Sequence, residues 1–480
     1  MCYLILLLLL TTASLSAQQI TVDNNLPHLT VAGDTVDAHD GRIIYFDDTY
    51  YWYGTAYGNT NGFTTANHYV CYSSPDMQSW TYRGRLLPDQ PEGVYYRPHV
   101  IYNEATDKYV LWYNWYPQLW DGQFGVATSD TPAGPFNIVN DNVQMVRSEV
   151  GLGDFGLFVD DDGSGYISYN TIQNHQVSIE RLSDDYLSST GENGGIIAEH
   201  SEAGSQFKRD GKYYLLTDYT CCFCNYGSGA RVYISDDPLA GYVLTGNINR
   251  YPGRYAPHLT DGVTRGTAHT TLLNQDSLLQ WIVLQHPRPR PTQRLTLDLF
   301  TGNRPENCGD VSNPRVHPEI GEPNFTVEYW NYDHWQAVEE VTLSRRHRAL
   351  QQQVTLEFPA VESDKFRIVL ADDYRYGAVY INEISVGDDS AAAEGMRAYI
   401  AGDNIPQSPI IPAQQTYVMA LPTADSTAYL WMGDLWGSAS DNIKGHDYQY
   451  WSAPLEFATD GTIMPLEWVD EWSVEAIGKK

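Results

Sequence analysis

Apolar and polar residues alternate with a period of two along most of the chain, in short runs closed by turns rich in Asp, Gly and Asn. Arg42-Ile43-Ile44-Tyr45-Phe46, a turn at Asp47-Asp48 and Thr49-Tyr50-Tyr51-Trp52-Tyr53 read as strand, tight turn and strand. The pattern returns at 99–102 with 108–113, at 157–159 with 166–169, at 205–207 with 212–216, and at 416–419 with 427–432. Few windows carry apolar residues at i, i+3, i+4 and i+7, so the fold is expected to be all-β. The first four turns, near residues 48, 107, 162 and 210, are about 59, 55 and 48 residues apart, the length of a four-stranded unit. Five such hairpins predict a five-bladed β-propeller. A blade cannot bury both faces alone, so the aromatic strands are expected to stack blade on blade.

The fourth and fifth turns lie about 215 residues apart, too far for one blade. The excess, roughly 251–390, contains the phrases FTVEYW, DKFRIVL and YINEISV, which resemble a discoidin-like β-sandwich of the jelly-roll, galactose-binding-like type. The expected layout is a leader over 1–17 and blades 1–4 over 18–250. The inserted sandwich follows over 251–390, then a linker and blade 5 with closure over 391–480. Glycan binding and scaffolding are equal readings of the insert.

Acidic residues outnumber basic ones 60 to 29, giving a net charge of −31, and they are scattered rather than gathered in a tail. Such a field repels phosphate backbones, which argues against nucleic acid as a partner; solubility is its simpler use. The start, MCYLILLLLLTTASLSAQQ, reads as a secretory signal cut near Ala17-Gln18, so the protein is expected to be secreted or periplasmic. Its apolar run is too short to span a bilayer and no later stretch qualifies, so no membrane insertion is expected. Five cysteines would follow the cut: Cys71, Cys221, Cys222, Cys224 and Cys308. The cluster Cys221-Cys222-Phe223-Cys224 has no paired C-x-x-C and no nearby His. A vicinal disulfide and a rigid buried turn stay open, with zinc the least favoured reading.

Propellers bind ligands on the axis, at the end where the innermost strands begin. A carboxylate stands at that place in three blades: Asp40 before GRIIYF, Asp154 before FGLFV and Glu202 before AGSQF. Alone, Asp40 would cap a turn, Asp154 would pair with Arg97 or Arg209, and Glu202 would be a surface charge. Three at matching positions point instead to acid–base chemistry. Inverting glycoside hydrolysis needs a carboxylate to activate water and a carboxylic acid to protonate the leaving oxygen, ~6.5–9.5 Å apart. A third carboxylate beside the acid keeps it protonated near neutral pH.

Asp40 lies nine residues before Thr49 of the DTYY turn, Asp154 opens DFGLFVDDDG, and Glu202 precedes FKRDGKYY. Together these resemble glycoside hydrolase family 43, a five-bladed propeller family of inverting enzymes, over roughly 36–241 and 414–472. The resemblance implies Asp40 as general base, Glu202 as general acid and Asp154 as the group that tunes and orients the acid. It implies no organic cofactor and no required metal. AHDG, RPHVIYN, SEAGSQFKRDGKYYLL and AQQTYV are most similar to the exo-β-1,3-galactanase branch. That branch has Gly where Asp40 stands and is thought to use a Gln, which corresponds to Gln414; it also has a substrate-recognising Glu where Tyr96 stands. Here both Asp40 and Gln414 are present.

The candidate substrate-binding residues are His39, Arg97, His99, Trp115, Trp120, Gln414 and His446. The two tryptophans either stack on sugar rings or pack in the core. The three histidines read as structural, with a water or a structural Ca2+ on the axis as the alternative. The expected function is exo-acting, inverting hydrolysis of a plant or algal polysaccharide or oligosaccharide. Galactose-configured substrates come first, arabinofuranosides or xylosides second. The rival from another class, a non-catalytic carbohydrate-binding protein, predicts a lost carboxylate, and all three are present.

Overall fold

The computed structural model describes residues 16–118, 120–148, 151–220, 222–223, 227–264, 270–275, 278–300, 322–331, 334–348, 351–371, 378–387, 395–402, 409–423 and 426–478. Blade 1 is the antiparallel sheet His39–Phe46, Thr49–Ala56, His68–Ser74 and Thr81–Arg85. Blade 2 is Val94–Asn103, Lys108–Tyr116, Gln123–Ser129 and Asn137–Asn140. Blade 3 is Leu152–Val159, Gly165–Thr171, Val177–Leu182 and Ser189–Ala198. Blade 4 is Ser201–Arg209, Lys212–Tyr219, Arg231–Ser235 and Val243–Asn247, and blade 5 is Gln414–Pro422, Thr427–Leu435 and Tyr448–Trp451. The five-bladed propeller read from the hairpin spacing is the fold.

The local chemistry explains the hairpins. Asp47 and Asp48 both take positive φ, 46° and 58°, as a two-residue type I′ turn demands, and Asp210-Gly211 does the same at 50° and 77°. Middle strands such as Gly165–Thr171 are buried along their whole length. The reason is that each space between neighbouring blades holds its own apolar cluster. Tyr53 and Leu111 meet between blades 1 and 2, Val126 and Phe155 between 2 and 3, Ile179 and Leu215 between 3 and 4, and Leu216 and Val418 between 4 and 5. The ring closes between blades 5 and 1, where Ser16–Asp23 pairs with Glu471–Gly478 and inserts Ile20, Val22, Trp472 and Ala476 against Trp52 and Trp451. Of the segment read as a leader, only Ser16 and Ala17 lie among the described residues, and they begin that closing strand.

Every inner strand breaks register near its start. The break falls between His39 and Arg42, Tyr96 and His99, Leu152 and Phe155, Glu202 and Ser205, and Gln415 and Tyr417. A bulge of this kind leaves residues without a ladder partner and re-aims their side chains. Here the bulges point at the axis.

Between blades 4 and 5 the chain forms a unit with its own core, of nine strands among the described residues. Two long strands, Leu278–Phe300 and Gln351–Leu370, run through both of its leaflets and break register between Gln285 and Arg290. Ile282, Phe366 and Ile400 of one leaflet meet Leu297, Leu356 and Ile381 of the other in one cluster, which makes the unit a β-sandwich. Arg397–Gly402, expected in the linker and closing blade, is instead a sandwich strand. It pairs with 280–285 and buries Ala398 and Ile400, so the boundary moves from 390 to about 402. The linker read at 388–394 lies outside the described residues. Among the described residues no helix is long and apolar enough to cross a membrane.

Candidate active site

The five bulges deliver Asp40, Arg97, Asp154, Glu202 and Gln414 to one end of the axis, where all five line a single pocket of about 100 Å³. Asp40 and Arg97 sit in the left-handed region at φ 54° and 50°, conformations the bulge imposes on non-glycine residues. On the second strand of each blade a buried polar residue stands opposite the residue flanking the bulge or, in blade 5, opposite Gln414 one step before it. These are Thr55, Asn114, Thr171, Asp218 and Asp434.

Arg97 is the hub. Its Nε lies 2.8 Å from Asp154 Oδ2, and its Nη1 donates to the Gln415 carbonyl at 3.2 Å, linking blades 2, 3 and 5. Burial alone would lower its pKa, but the carboxylates of Asp154, Asp40, Asp218 and Glu202 raise it further than burial lowers it, so it stays charged. Beneath it Arg42, also buried, donates to the carbonyls of Asp40, Pro98 and Phe155, one each from blades 1, 2 and 3. Arg97 lines the pocket, while Arg42 is fully buried behind it and ties three blades together.

Asp40 is held from two sides. Its backbone N–H donates to Asp434 Oδ2 at 2.8 Å, and the Tyr57 hydroxyl donates to its Oδ2 at 2.5 Å. Burial pushes its carboxyl up to about 6; Arg97 and the Tyr57 hydrogen bond oppose this, while Asp434 and Asp154 add to it. Glu202 is also buried, and His175 Nδ1 lies 3.3 Å from its Oε1. Burial raises the Glu202 pKa, the His175 contact offsets part of that, and the Asp154 charge adds to it. Asp218, fully buried opposite Glu202, is raised well above the carboxylate range, first by burial, with Arg97 opposing. A carboxyl ionised above about 6 and another held toward its protonated form, on non-adjacent blades of one pocket, can take and give a proton across a bound substrate.

Gln414 is oriented by its neighbours. Its Oε1 accepts from Trp436 Nε1 at 2.7 Å and from the Phe223 N–H at 3.3 Å, which leaves its amide N–H groups as the donors for the pocket. Phe63, Tyr96, Tyr116, Trp120 and Phe223 give the lining much of its aromatic surface.

Four expected site residues stand elsewhere. His39 lies under Asp40, with Nδ1 3.2 Å from Asp434 Oδ1. His99 is buried past the bulge and accepts the Leu157 N–H on Nδ1 at 2.9 Å; burial holds its pKa far down, so it is a neutral structural acceptor. Trp115 stacks on Tyr95 at 5.9 Å and donates to the Asp141 carbonyl, so it is core. His446 bridges Asp441 and Asn59 on the surface. Arg97, Trp120 and Gln414 do line the pocket. Cys222 lies on its wall as a free cysteine, while Cys221, Cys224 and Cys308 lie outside the described residues. Among the described residues no group of three or more His, Cys, Asp or Glu side chains could hold a metal ion.

His175, Asp218, Asp434 and Tyr57 were not legible as site residues. Asp218 and Asp434 end the apolar runs YYLLTD and YLWMGD, and that repeated ending was the available signal.

A family model described as glycosyl hydrolases family 43 matches residues 35–303, more than half of the chain. An arabinoxylan arabinofuranohydrolase of Bacillus subtilis (strain 168) is 26% identical over 199 residues, 35% of this chain; the match spans 38% of that relative's length. An exo-β-1,3-galactanase of Clostridium thermocellum shares the fold with a TM-score of 0.53 at 18% identity, over 96% of this chain and 68% of that one. A β-1,3-galactosidase solved with galactodeoxynojirimycin also gives 0.53 at 18% identity, over 94% of this chain and 99% of that one.

Proposed function

The chain belongs to glycosyl hydrolases family 43 and is a glycoside hydrolase; from that premise we propose an exo-acting, inverting enzyme that removes galactose-configured residues from polysaccharide or oligosaccharide ends. Asp40 is the general base, Glu202 the general acid, and Asp154, paired with Arg97, orients the site. Asp40 takes a proton from water as the water oxygen bonds to the anomeric carbon. Glu202 gives its proton to the glycosidic oxygen as that bond to carbon breaks. Gln414 offers its amide N–H groups to the bound sugar or the attacking water. A small pocket suits one terminal ring, which supports exo action.

The observation that carries this reading is the convergence of Asp40 and Glu202, from separate bulges, on one pocket where burial raises both carboxyls. The preference for galactose rests on the motifs AHDG, RPHVIYN and AQQTYV. The names of the two structural relatives agree with it, although at 18% identity that likeness is one of fold. The arabinofuranohydrolase relative favours a second reading, hydrolysis of arabinofuranosides. The leader read at 1–17 supports action outside the cytoplasm.

The test is a panel of β-galactosides, α-L-arabinofuranosides and β-xylosides, with the product anomer followed by NMR in wild type, Asp40→Asn and Glu202→Gln. Release of inverted galactose, lost in both variants, is the expected result. Release of arabinose alone moves the substrate to the second reading. Retained activity in Asp40→Asn overturns the assignment of the base.

A further inference from the structure

Two aromatic side chains of the pocket are mostly in water, Trp120 at 64% exposure and Phe63 at 51%. They differ in support. Phe63 packs edge-on against Phe223, with ring centroids 4.9 Å apart, and against Tyr96. Among the described residues the Trp120 indole has no ring contact and no hydrogen bond. Trp120 also holds φ at 71°, a left-handed conformation that is rare for a bulky residue and found where function requires it.

The backbone around Trp120 is nevertheless fixed. Asp121 N–H donates to the Gln118 carbonyl at 3.0 Å, and Leu152 N–H to the Gly122 carbonyl at 2.9 Å. Gly151 makes the close approach possible, since a Cβ there would stand 2.9 Å from the Trp120 carbonyl oxygen. An exposed indole on an anchored backbone is a plate waiting for a partner.

Its place identifies the partner. The Gly151 carbonyl accepts from Ile172 N–H at 3.1 Å, and three residues on, His175 contacts Glu202 at 3.3 Å. Trp120 therefore belongs to the wall that carries the acid. The wall carrying the base is built from Tyr57, Phe223 and Trp436, which pack on one another. An acid that protonates a glycosidic oxygen stands on the side of the departing sugar.

Resting on the function proposed above, we infer that Trp120 is the platform for the departing sugar. It takes the ring attached to the cleaved terminal residue, and that ring is a galactose-configured pyranose. An axial O4 leaves the C–H bonds of C3, C4, C5 and C6 on one continuous apolar face, which suits stacking on an indole. Trp120 is thus a specificity-determining residue for the second sugar, at the exposed rim of the pocket whose buried end holds the first.

The experiment compares β-galactosyl fluoride, which has no departing sugar, with β-1,3-galactobiose in wild type, Trp120→Ala and Trp120→Asn. Asn tolerates the left-handed backbone, so it guards against a folding defect in the Ala variant. The expected result is a fall of about tenfold in the ratio of kcat/KM for the disaccharide over the fluoride, carried by KM, in both variants. Trp120→Phe should recover most of it. An equal loss on both substrates, or no loss on either, overturns the assignment of Trp120 alone. A wild type inactive on both galactosyl compounds overturns the galactose reading and this inference with it.

Discussion

The two ends of the inner strands carry the same residue type in the same backbone conformation and do opposite things with it. At the hairpin end, Asp48, Asp107 and Asp210 take φ of 58°, 55° and 50° and lie in water. Their hydrogen bonds and ion pairs include the Tyr45 and Tyr102 hydroxyls for the first two and Arg209 at 2.8 Å for the third, each within five residues. At the bulge end, Asp40 takes φ of 54° yet is buried among Asp154, Asp434 and Arg97, with its carboxyl pushed up to about 6. A hairpin turn points away from the molecule. A bulge on the innermost strand points at the axis, where five strands meet and the side chain is buried. Position in the blade, rather than residue identity, converts an ordinary aspartate into a group that can exchange protons near neutral pH.

The largest effect should separate the two ends in activity. Asp40→Asn and Glu202→Gln are expected to lower kcat/KM by about 10²–10⁴-fold, while Asp48→Asn and Asp107→Asn stay within about twofold, measured on the same galactoside. A comparable loss in a hairpin variant would break the comparison.

Stability should run the other way. Because folding moves the Asp40 carboxyl from 3.8 to about 6, the native state holds a proton that the unfolded chain has released across that interval. Asp40 therefore costs the fold about 3 kcal/mol once pH passes about 6. Asp40→Asn should raise the Tm at pH 7 and remove that part of the pH dependence between about 4 and 6, read by thermal melts. An unchanged Tm at pH 7 would show that the carboxylate is not strained there.

The acid limb of the kcat/KM profile should fall below about pH 6, where Asp40 gains a proton. Tyr57 holds that carboxylate down by its hydrogen bond. Tyr57→Phe should shift the limb to higher pH by several tenths to one pH unit; a shift to lower pH would place another group on that limb.

The smallest effect belongs to the turns. Gly211 follows Asp210 at φ 77°, and Gly211→Ala should cost about 1 kcal/mol in denaturant melts with activity unchanged.

Legibility followed the same division. Hairpin turns write themselves into a sequence, because Asp-Asp and Asp-Gly pairs between alternating runs have few other uses, and they gave the five blades and the place of the insert. Asp40, Asp154 and Glu202 were found because each precedes an apolar run. The bulges themselves have no local signature, so the sequence left Asp154 pairing with either Arg97 or Arg209, and the structure gives Arg97, from the bulge of blade 2. His175 comes from a loop of blade 3 and Asp434 from the second strand of blade 5, so the packing of neighbouring blades brings them to Glu202 and Asp40, while cross-strand register within blade 4 brings Asp218 opposite Glu202. Trp115 and Trp120, five residues apart, went to core and rim because the strand ends at Tyr116 between them.

The placement of Arg42 and Arg97 has a bearing on turnover. Both guanidinium groups are buried and bonded to the carbonyls of several blades, so among the described residues they fill the axis behind the pocket. Under the exo action proposed above, the sugar bound deepest would leave by the opening through which the chain came, and the shortened polymer would stand in that doorway. Each cut would then be followed by release of the polymer before the monosaccharide could depart. An enzyme built this way works distributively, shortening many chains by one residue each rather than consuming one chain to its end, and its pace at saturation is set by how fast the doorway clears.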